Sequence, residues 1–441
     1  MYFERDLEKN LILWKSRKNR KPLLIKGARQ VGKTSLIKSF GKNAFDNIAY
    51  FNFDEQPDLR QFFEMTKDPF SLLQNLSLVH GEKIDPAKNL IVFDEIQECK
   101  PALNSLKYFQ EKAPEYAIIG AGSLLGITLG NKDSFPVGKV EFLEAFPLTF
   151  LEFLETADHK LAAYVKGVKI EGPIPNLFYN GLLEKLKLYF ICGGMPEAAR
   201  TLLEELDLEK TQRVLWNILQ AYELDFSKHT ETKDIPKISF IWDSIPSQLA
   251  KENKKFLYQV VRSGARAREY EDALLWLVQA GLVYKVYRND KTNIPISAYD
   301  DLNSFKIFLF DVGLLRRKSQ LDPNAFKEGN RLFVEFKGAL TENFILQCLV
   351  PQFDVTPRYW TSHGKAEIDF LLQYQNEIIP VEVKSDENVR SKSLAFYANS
   401  NNPKLRIRYS LKNFEYKDGL LNIPLFLADR TLDFVKEIFG G

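Results

Sequence analysis

Residues 27–34 restrict the fold of this chain more than any other segment. They satisfy the pattern G-x-x-x-x-G-K-[ST], follow the short apolar run Leu23–Lys26 and precede a helical pattern that starts at Thr34. A strand, a glycine-rich loop and a helix in this order are the context that a phosphate-binding loop requires. Further apolar runs at residues 48–53, 90–93 and 116–119 alternate with helical segments. We therefore expect an α/β fold with a parallel sheet covered on both faces.

The phosphate-binding loop (residues 27–34) predicts ATP as the ligand. Its glycines allow backbone N–H groups to converge on phosphates, and the helix N-terminus adds a partial positive charge. Lys33 is expected to reach the β- and γ-phosphates, and the Thr34 hydroxyl to hold Mg²⁺. The predicted ATP-binding residues are Gly27, Ala28, Arg29, Gln30, Val31, Gly32, Lys33, Thr34 and Ser35.

An apolar strand that ends in two acids predicts the second half of the site. Residues 90–93 are followed directly by Asp94 and Glu95. Asp94 is expected to bind Mg²⁺ indirectly, and Glu95 to polarise the attacking water, which favours hydrolysis over binding alone. Ser123, at the end of a Gly-rich turn after residues 116–119, is a candidate sensor of the γ-phosphate; the alternative is an ordinary turn.

An arginine that completes such a site from a neighbouring subunit cannot be assigned from sequence. Lys139, Arg200 and Arg213 are all candidates. A homo-oligomer is therefore one candidate state, and the sequence does not determine the oligomeric state.

Composition excludes several classes of protein. The chain of 441 residues is 45% hydrophobic and 13% aromatic, and its net charge is only +2, so any nucleic-acid surface must be local. Three distant cysteines without a CxxC pair favour neither zinc nor a disulfide framework. The amino terminus lacks an apolar leader, and the uncharged stretch 116–131 is too short to span a bilayer. We expect a cytoplasmic protein without membrane contact.

The pattern along the chain predicts four domains. These are a P-loop ATPase core (1–155), a helical lid (156–232), a winged helix (233–295) and an α/β nuclease-like domain (296–441). The lid is rich in Leu, Phe, Glu and Lys, and a tight turn at residues 192–196 interrupts it. The last domain has strand patterns at 306–310, 368–373 and 378–383, and a helical pattern at 338–349.

Residues 245–287 have the pattern of a helix-turn-helix followed by a wing. Tyr270 and Leu274 would lie on the buried face of the last helix, whereas Arg266 and Arg268 lie on the other face, with Arg262 just upstream. Residues 235–292 contain ten Lys or Arg and six Asp or Glu. The three arginines predict contacts with DNA phosphates, in duplex or branched DNA. The alternatives are a solvated helix face and a protein contact.

A third group of charged residues lies near the carboxyl end. Asp369 is on one predicted strand, and Glu382 and Lys384 share a face of the next. Glu342, on the preceding helix, is a fourth candidate. Two acids and a lysine on adjacent strands can hold a divalent metal and orient water for attack on a phosphodiester. The alternative is a site that binds without cleaving.

These motifs together resemble one family, the prokaryotic AAA+-type P-loop ATPases with a carboxyl-terminal DUF4143 domain. The resemblance covers nearly the whole chain and rests on residues 27–34, 92–97, 146–153, 193–197, 310–315, 367–372 and 381–385. It implies an AAA+ fold and a PD-(D/E)xK nuclease-like carboxyl-terminal domain. The family usually has Gly-Arg where this chain has Gly138 and Lys139, and lysine lacks the planar fork of arginine.

Two functional hypotheses follow. In the first, ATP hydrolysis drives the binding and remodelling or processing of DNA. In the second, ATP switches a regulatory or scaffold protein whose carboxyl-terminal domain is a non-catalytic docking module. Small-molecule phosphotransfer is disfavoured because Asp94 and Glu95 are suited to activating water.

Overall fold

The computed structural model divides the chain into two units. The amino-terminal unit comprises residues 4–146 and 279–281, and the carboxyl-terminal unit comprises residues 1–3, 147–278 and 282–441. Within them, the structure describes residues 1–123, 125–129, 138–228, 230, 232–251, 254–326, 337–362, 366–385 and 391–440.

Five parallel strands form the sheet of the amino-terminal unit. They are β1 (Leu23–Lys26), β2 (Asn47–Asn52), β3 (Asn89–Asp94), β4 (Ala117–Gly122) and β5 (Glu141–Glu144). Their order is β2-β3-β4-β1-β5, and every pair is parallel. β3 and β4 are buried throughout, which explains their continuous apolar sequences. The predicted parallel α/β sheet is confirmed.

Helices and aromatic side chains complete this unit. Phe93 of β3 contacts the rings of Phe51, Phe53, Phe63 and Phe109, with centroids 5.6–6.5 Å apart. This cluster anchors the strand that ends in Asp94. The helices are α1 (Leu7–Ser16), α2 (Lys33–Ala44), α3 (Arg60–Met65), α4 (Pro69–His80), α5 (Lys100–Lys112) and α6 (Leu125–Leu129).

The carboxyl-terminal unit begins with a run of helices, as the sequence predicts for this region. Thr149 and Glu152 form a capping box at the start of α7, which explains part of the 146–153 signature. The first helices are α7 (Phe150–Ala157), α8 (His159–Gly167), α9 (Asn176–Cys192), α10 (Pro196–Glu205) and α11 (Leu208–Lys228). The helix-turn-helix region contains α12 (Ile235–Leu249), α13 (Tyr258–Val261) and α14 (Ala267–Gln279). Later helices are α15 (Val312–Lys318), α16 (Lys337–Leu349), α17 (Lys392–Asn401) and α18 (Thr431–Phe439).

A mixed sheet of eight strands forms the rest of this unit, which confirms the predicted second α/β region. The strands are β6 (Val283–Asn289), β7 (Asp300–Leu309), β8 (Arg358–Thr361), β9 (Glu367–Tyr374), β10 (Glu377–Val383), β11 (Arg406–Ser410), β12 (Glu415–Lys417) and β13 (Leu420–Pro424). Their order is β12-β13-β11-β10-β9-β8-β6-β7.

The strand predicted as the wing does not form a separate small domain. β6 pairs with β7 on one side and with β8 on the other, inside the eight-stranded sheet. The predicted boundary at residues 295/296 therefore separates two strands of one sheet. The sequence indicated a strand correctly, but its hydrogen-bonding partners are set by distant segments.

Three signature segments of the sequence meet inside the carboxyl-terminal unit. The Asp311 carboxylate accepts hydrogen bonds from the backbone N–H of Gly194 at 2.6 Å and of Leu314 at 2.8 Å. The backbone N–H of Leu148 in turn donates to the carbonyl of Gly194 at 2.7 Å. Burial raises the pKa of Asp311 to about 6, although these hydrogen bonds oppose the shift. The segments around residues 148, 194 and 311 thus form one buried hydrogen-bonded centre.

Glycines allow this close approach. A Cβ on Gly313 would lie 2.4 Å from the backbone N of Gly193, and a Cβ on Gly194 would lie 2.3 Å from the carbonyl O of Leu148. Both neighbours are backbone atoms, which cannot rotate away. The glycines of residues 193–197 and 310–315 are therefore explained by packing.

Gly313→Ala should destabilise the carboxyl-terminal unit by about 1–3 kcal/mol, the usual effect of overpacking. Gly167→Ala is the matched control, because Gly167 also lies in a helix but a Cβ there meets nothing within 4 Å. The control should be neutral or stabilising by up to about 1 kcal/mol. Urea unfolding followed by tryptophan fluorescence measures both; equal effects of the two substitutions would contradict the packing explanation.

The buried Asp311 carboxyl should make stability depend on pH. Its folded pKa of about 6 lies above the unfolded value near 4, so the folded state holds the proton more tightly. Its contribution to stability is present below about pH 4 and is lost as pH rises to about 6, by about 3 kcal/mol. The stability of Asp311→Asn relative to wild type should therefore increase over this interval. A difference curve that stays flat between pH 4 and 6, from urea unfolding, would refute the assignment.

Candidate functional site

The phosphate-binding loop is shaped by residues with positive φ. Gly27 has φ 150° and Gly32 has φ 92°, and Gln30 adopts φ 63°. A Cβ on Gly27 would lie 2.1 Å from the carbonyl O of Ala145, so only glycine fits there. Lys33 then begins α2, which places the loop at the N-terminus of that helix, as predicted.

Lys33 is buried inside the loop. Its ammonium donates hydrogen bonds to the carbonyls of Gly27 at 3.0 Å and Ala28 at 2.8 Å. Burial lowers its pKa to about 8, while Glu95 and Asp94 raise it in opposition. The ammonium is thus held within the curve of the loop, near both acids at the end of β3.

Asp94 binds the helix that follows the loop. Its Oδ2 accepts a hydrogen bond from the Thr34 hydroxyl at 2.8 Å, and its Oδ1 accepts one from the backbone N–H of Glu95 at 3.1 Å. The Asp94 side chain is only 3% exposed. The structure therefore brings together the two residues that were predicted to hold Mg²⁺.

Glu95 has a constrained position next to this pair. Its backbone is left-handed, with φ 48°, which is uncommon for a residue other than glycine. Its Oε2 accepts a hydrogen bond from the Gln97 amide at 2.6 Å. The Glu95 carboxylate is therefore oriented by Gln97, a residue that the sequence did not single out.

Ser123 lies at the same edge of the sheet. β4 pairs with β1 up to Gly122 and Lys26, so Ser123 follows β4 where the phosphate-binding loop follows β1. Its side chain is 8% exposed. This position agrees with the expected one, and its role as a γ-phosphate sensor stays a prediction.

Sequence reasoning missed two further residues of this site. The Arg5 guanidinium donates to the carbonyl of Val31 at 2.8 Å and to that of Phe146 at 2.7 Å, so it ties the loop to the end of the unit. The Tyr50 hydroxyl donates to Asp94 Oδ2 at 2.5 Å. Burial and the bond to Asp94 raise the pKa of Tyr50, which therefore keeps its proton. Its place on the strand next to β3 was the only signal.

The candidates for a trans-acting cation remain undecided. Lys139 forms an ion pair with Glu111 at 3.0 Å, whereas Arg200 and Arg213 are exposed.

The charged residues near the carboxyl end lie on neighbouring elements. β9 and β10 are antiparallel neighbours, and Asp369 Oδ2 accepts a hydrogen bond from the backbone N–H of Val383 at 2.8 Å. Burial, with the nearby Glu342, raises the pKa of Asp369 to about 7. Glu382 forms an ion pair with Lys384 at 2.8 Å. We call Glu342, Asp369 and Glu382 the acidic cluster.

Lysines from outside the motif engage this acidic cluster. Lys254 pairs with Glu342, and the fully buried Lys306 pairs with Glu367. Burial alone would lower the pKa of the Lys306 ammonium. The negative charges of Glu342, Glu367 and Asp369 together have the larger effect and raise that pKa. In the described part of the chain, no group of three or more His, Cys, Asp or Glu is placed to hold a metal ion. A metal at Asp369 and Glu382, with Glu342 and Lys384, stays a prediction.

The predicted DNA-binding arginines lie on the surface. Arg262, Arg266 and Arg268 are exposed, whereas Tyr270 and Leu274 are buried. The Arg262 guanidinium lies 5.5 Å from the ring centroid of Phe240. We call residues 262–268 the arginine segment. Among the described residues, no acidic side chain forms a salt bridge with these three arginines.

The sequence matches three described families over separate segments. Residues 19–154 match the AAA domain, residues 183–325 match a domain of unknown function (DUF8612), and residues 337–427 match a domain of unknown function (DUF4143). The chain therefore contains an AAA domain and a carboxyl-terminal DUF4143 domain. The AAA domain contains the phosphate-binding loop and Asp94, and the DUF4143 match contains the acidic cluster.

Solved structures have a weak similarity to this chain. A Walker-type ATPase of Pyrococcus abyssi is 16% identical, with 72% of this chain and 96% of that chain covered and a TM-score of 0.45. Drosophila ORC bound to DNA is 15% identical (67% and 89% covered, TM-score 0.30). The RuvB Holliday junction branch migration motor of Thermotoga maritima is 16% identical (64% and 89% covered, TM-score 0.29).

These similarities are too low to transfer a function to this chain. No curated protein sequence matches it. In the described part of the chain, no helix has the length and apolar character needed to cross a membrane.

Proposed function

We propose that this protein hydrolyses ATP with Mg²⁺ in its AAA domain and couples turnover to the binding and remodelling of DNA, duplex or branched. The observation that carries the first half is the hydrogen bond from Thr34 to Asp94 beside the buried Lys33 ammonium. These groups lie at the N-terminus of α2, where backbone N–H groups favour phosphate.

The residues at this site fit a magnesium ion. The Thr34 hydroxyl donates a hydrogen bond to Asp94, so the lone pairs of the Thr34 oxygen are left for a cation. Asp94 supplies negative charge, and carboxylate and hydroxyl oxygens suit Mg²⁺. When bound with ATP, Mg²⁺ neutralises charge on the β- and γ-phosphates. Lys33 would exchange its carbonyl partners for phosphate oxygens and keep its proton there.

Glu95 is the proposed base that orients the attacking water. One of its oxygens is held by Gln97, and the left-handed backbone fixes the direction of the side chain. A carboxylate oriented in this way can accept a proton from water close to the γ-phosphate. Ser123 is the proposed γ-phosphate sensor.

The arginine segment supports DNA as the partner. Three exposed arginines lie within seven residues, and none is neutralised by a described acidic side chain. Guanidinium groups form bidentate hydrogen bonds with phosphate. The surface therefore has the charge and the chemistry that a phosphodiester backbone requires.

A second candidate is a nucleotide-switched regulator with a non-catalytic DUF4143 domain. The pairing of Lys254 with Glu342 favours it, because one of the acids predicted to hold a metal already has an ammonium partner. In this view DNA or a protein is bound by the DUF4143 domain without being cut.

Lys33→Ala should abolish nucleotide binding, because the ammonium that contacts the phosphates is removed. Glu95→Gln should retain binding but lower turnover by about 10²-fold or more, since amide cannot accept the proton of water. Fluorescent-nucleotide binding and phosphate release measure the two steps separately. Turnover of Glu95→Gln at the wild-type rate would exclude Glu95 as the base.

Replacing Arg262, Arg266 and Arg268 by alanine should weaken DNA binding without changing nucleotide affinity. The slope of log K against log salt should fall by about 0.9 per lost phosphate contact. The matched control replaces three exposed lysines of the same unit, Lys160, Lys392 and Lys436.

Fluorescence anisotropy with duplex, single-stranded and four-way-junction DNA measures the effect, and ATPase rates are read on the same panel. Equal loss in the control, or wild-type protein that neither binds nor responds to any of these DNAs at low salt, would overturn the DNA role. Turnover that is unchanged by every DNA would favour the regulator instead.

A further inference from the structure

Two hydroxyl groups converge on a single oxygen of Asp94. Thr34 donates to Oδ2 at 2.8 Å and Tyr50 donates to the same atom at 2.5 Å, whereas Oδ1 accepts from the backbone N–H of Glu95 at 3.1 Å. The carboxylate is therefore held by three neutral donors. No described residue forms an ion pair with it.

Tyr50 reaches this oxygen from the neighbouring strand. β2 runs parallel to β3, with Tyr50 opposite Val92 and Asn52 opposite Asp94. Ala49 and Phe51 point into the core, and Tyr50, between them on the strand, is half-buried. Lys38 of α2 places its ammonium 4.3 Å from the centroid of the Tyr50 ring. The ring is thus held between α2 and the end of β3, with its hydroxyl directed at Asp94.

The shared oxygen connects Tyr50 to the cation position. Thr34 can offer its lone pairs to a metal only while its proton points at Asp94, so the direction of the Asp94 carboxylate sets the direction of the Thr34 oxygen. Without Tyr50, Oδ2 would keep one donor and the carboxylate could rotate. Partners that orient a metal-binding residue in this way typically change metal affinity by 10–100-fold.

We propose that Tyr50 is a positioning residue for the magnesium of the ATP site, and that it acts through Asp94 on the Thr34 hydroxyl. The proposal rests on the proposed Mg²⁺-dependent ATPase function. Its alternative is a tyrosine that only packs between α2 and the sheet.

Tyr50→Phe separates these roles, because it removes the hydroxyl and keeps the ring and its contact with Lys38. Tyr116→Phe is the matched control, a half-buried tyrosine of the same unit that does not contact Asp94. Binding of a fluorescent ATP analogue is titrated with Mg²⁺, and the same binding is measured in EDTA. ATP turnover is measured at low and high Mg²⁺, and thermal unfolding is recorded for each variant.

For Tyr50→Phe we expect the Mg²⁺ concentration at half-saturation to rise by about tenfold. Nucleotide affinity in EDTA and the unfolding temperature should stay at wild-type values, and excess Mg²⁺ should restore turnover. Tyr116→Phe should match wild type throughout.

An unchanged Mg²⁺ midpoint in Tyr50→Phe would overturn the proposal. A loss of nucleotide affinity that is equal in EDTA and in Mg²⁺ would also overturn it, because that result indicates a packing role. If wild-type protein shows no Mg²⁺-dependent nucleotide binding, the proposed function itself fails, which is distinct from the failure of Tyr50 alone.

Discussion

The carboxyl ends of β1, β3 and β4 lie at one edge of a parallel sheet, and the nucleotide site depends on that arrangement. β4 stands between β3 and β1, so Asp94 must contact Thr34 across the end of an intervening strand. Glycine occupies the end of β4, where a Cβ on Gly122 would lie 2.0 Å from the Gln97 amide oxygen. Glycine in β4 therefore gives Gln97 the space from which it orients Glu95. The nucleotide site therefore requires the phosphate-binding loop, the two acids after β3 and this strand order together.

Local patterns predicted the parts of this site that are local. The glycine-rich loop, β1 and the acids after β3 are encoded within short segments, and the structure places Lys33, Thr34 and Asp94 together as expected. Arg5 and Tyr50 were missed because their contacts join residues far apart in sequence: 26 and 141 positions for Arg5, and 44 for Tyr50. The pairing of β6 with β8, inside the larger sheet, was missed for the same reason.

Motifs in the carboxyl-terminal unit indicated the family before they indicated a role. The glycines at 193, 194 and 313 allow backbone segments to approach closely around Asp311, so that signature reflects packing rather than chemistry. The acidic cluster was predicted from Asp369, Glu382 and Lys384, with Glu342 as a fourth candidate. The lysines that alter its meaning, Lys254 and Lys306, belong to a loop and to β7, outside the motif. The residues of a motif do not show which charged side chains from other segments will lie next to it in the fold.

The two groups of buried carboxylates differ in how their charge is balanced. Asp94 receives only neutral donors, two hydroxyls and a backbone N–H, and Lys33 spends its hydrogen bonds on loop carbonyls. The negative charge of Asp94 is therefore left for a cation that arrives with the nucleotide. Glu342 and Glu382 of the acidic cluster already have ammonium partners in Lys254 and Lys384, and a metal that bound there would have to displace an ion pair. Displacement of that kind is unfavourable because it leaves a charge buried without its partner. This difference is why we assign cation-dependent chemistry to the AAA domain.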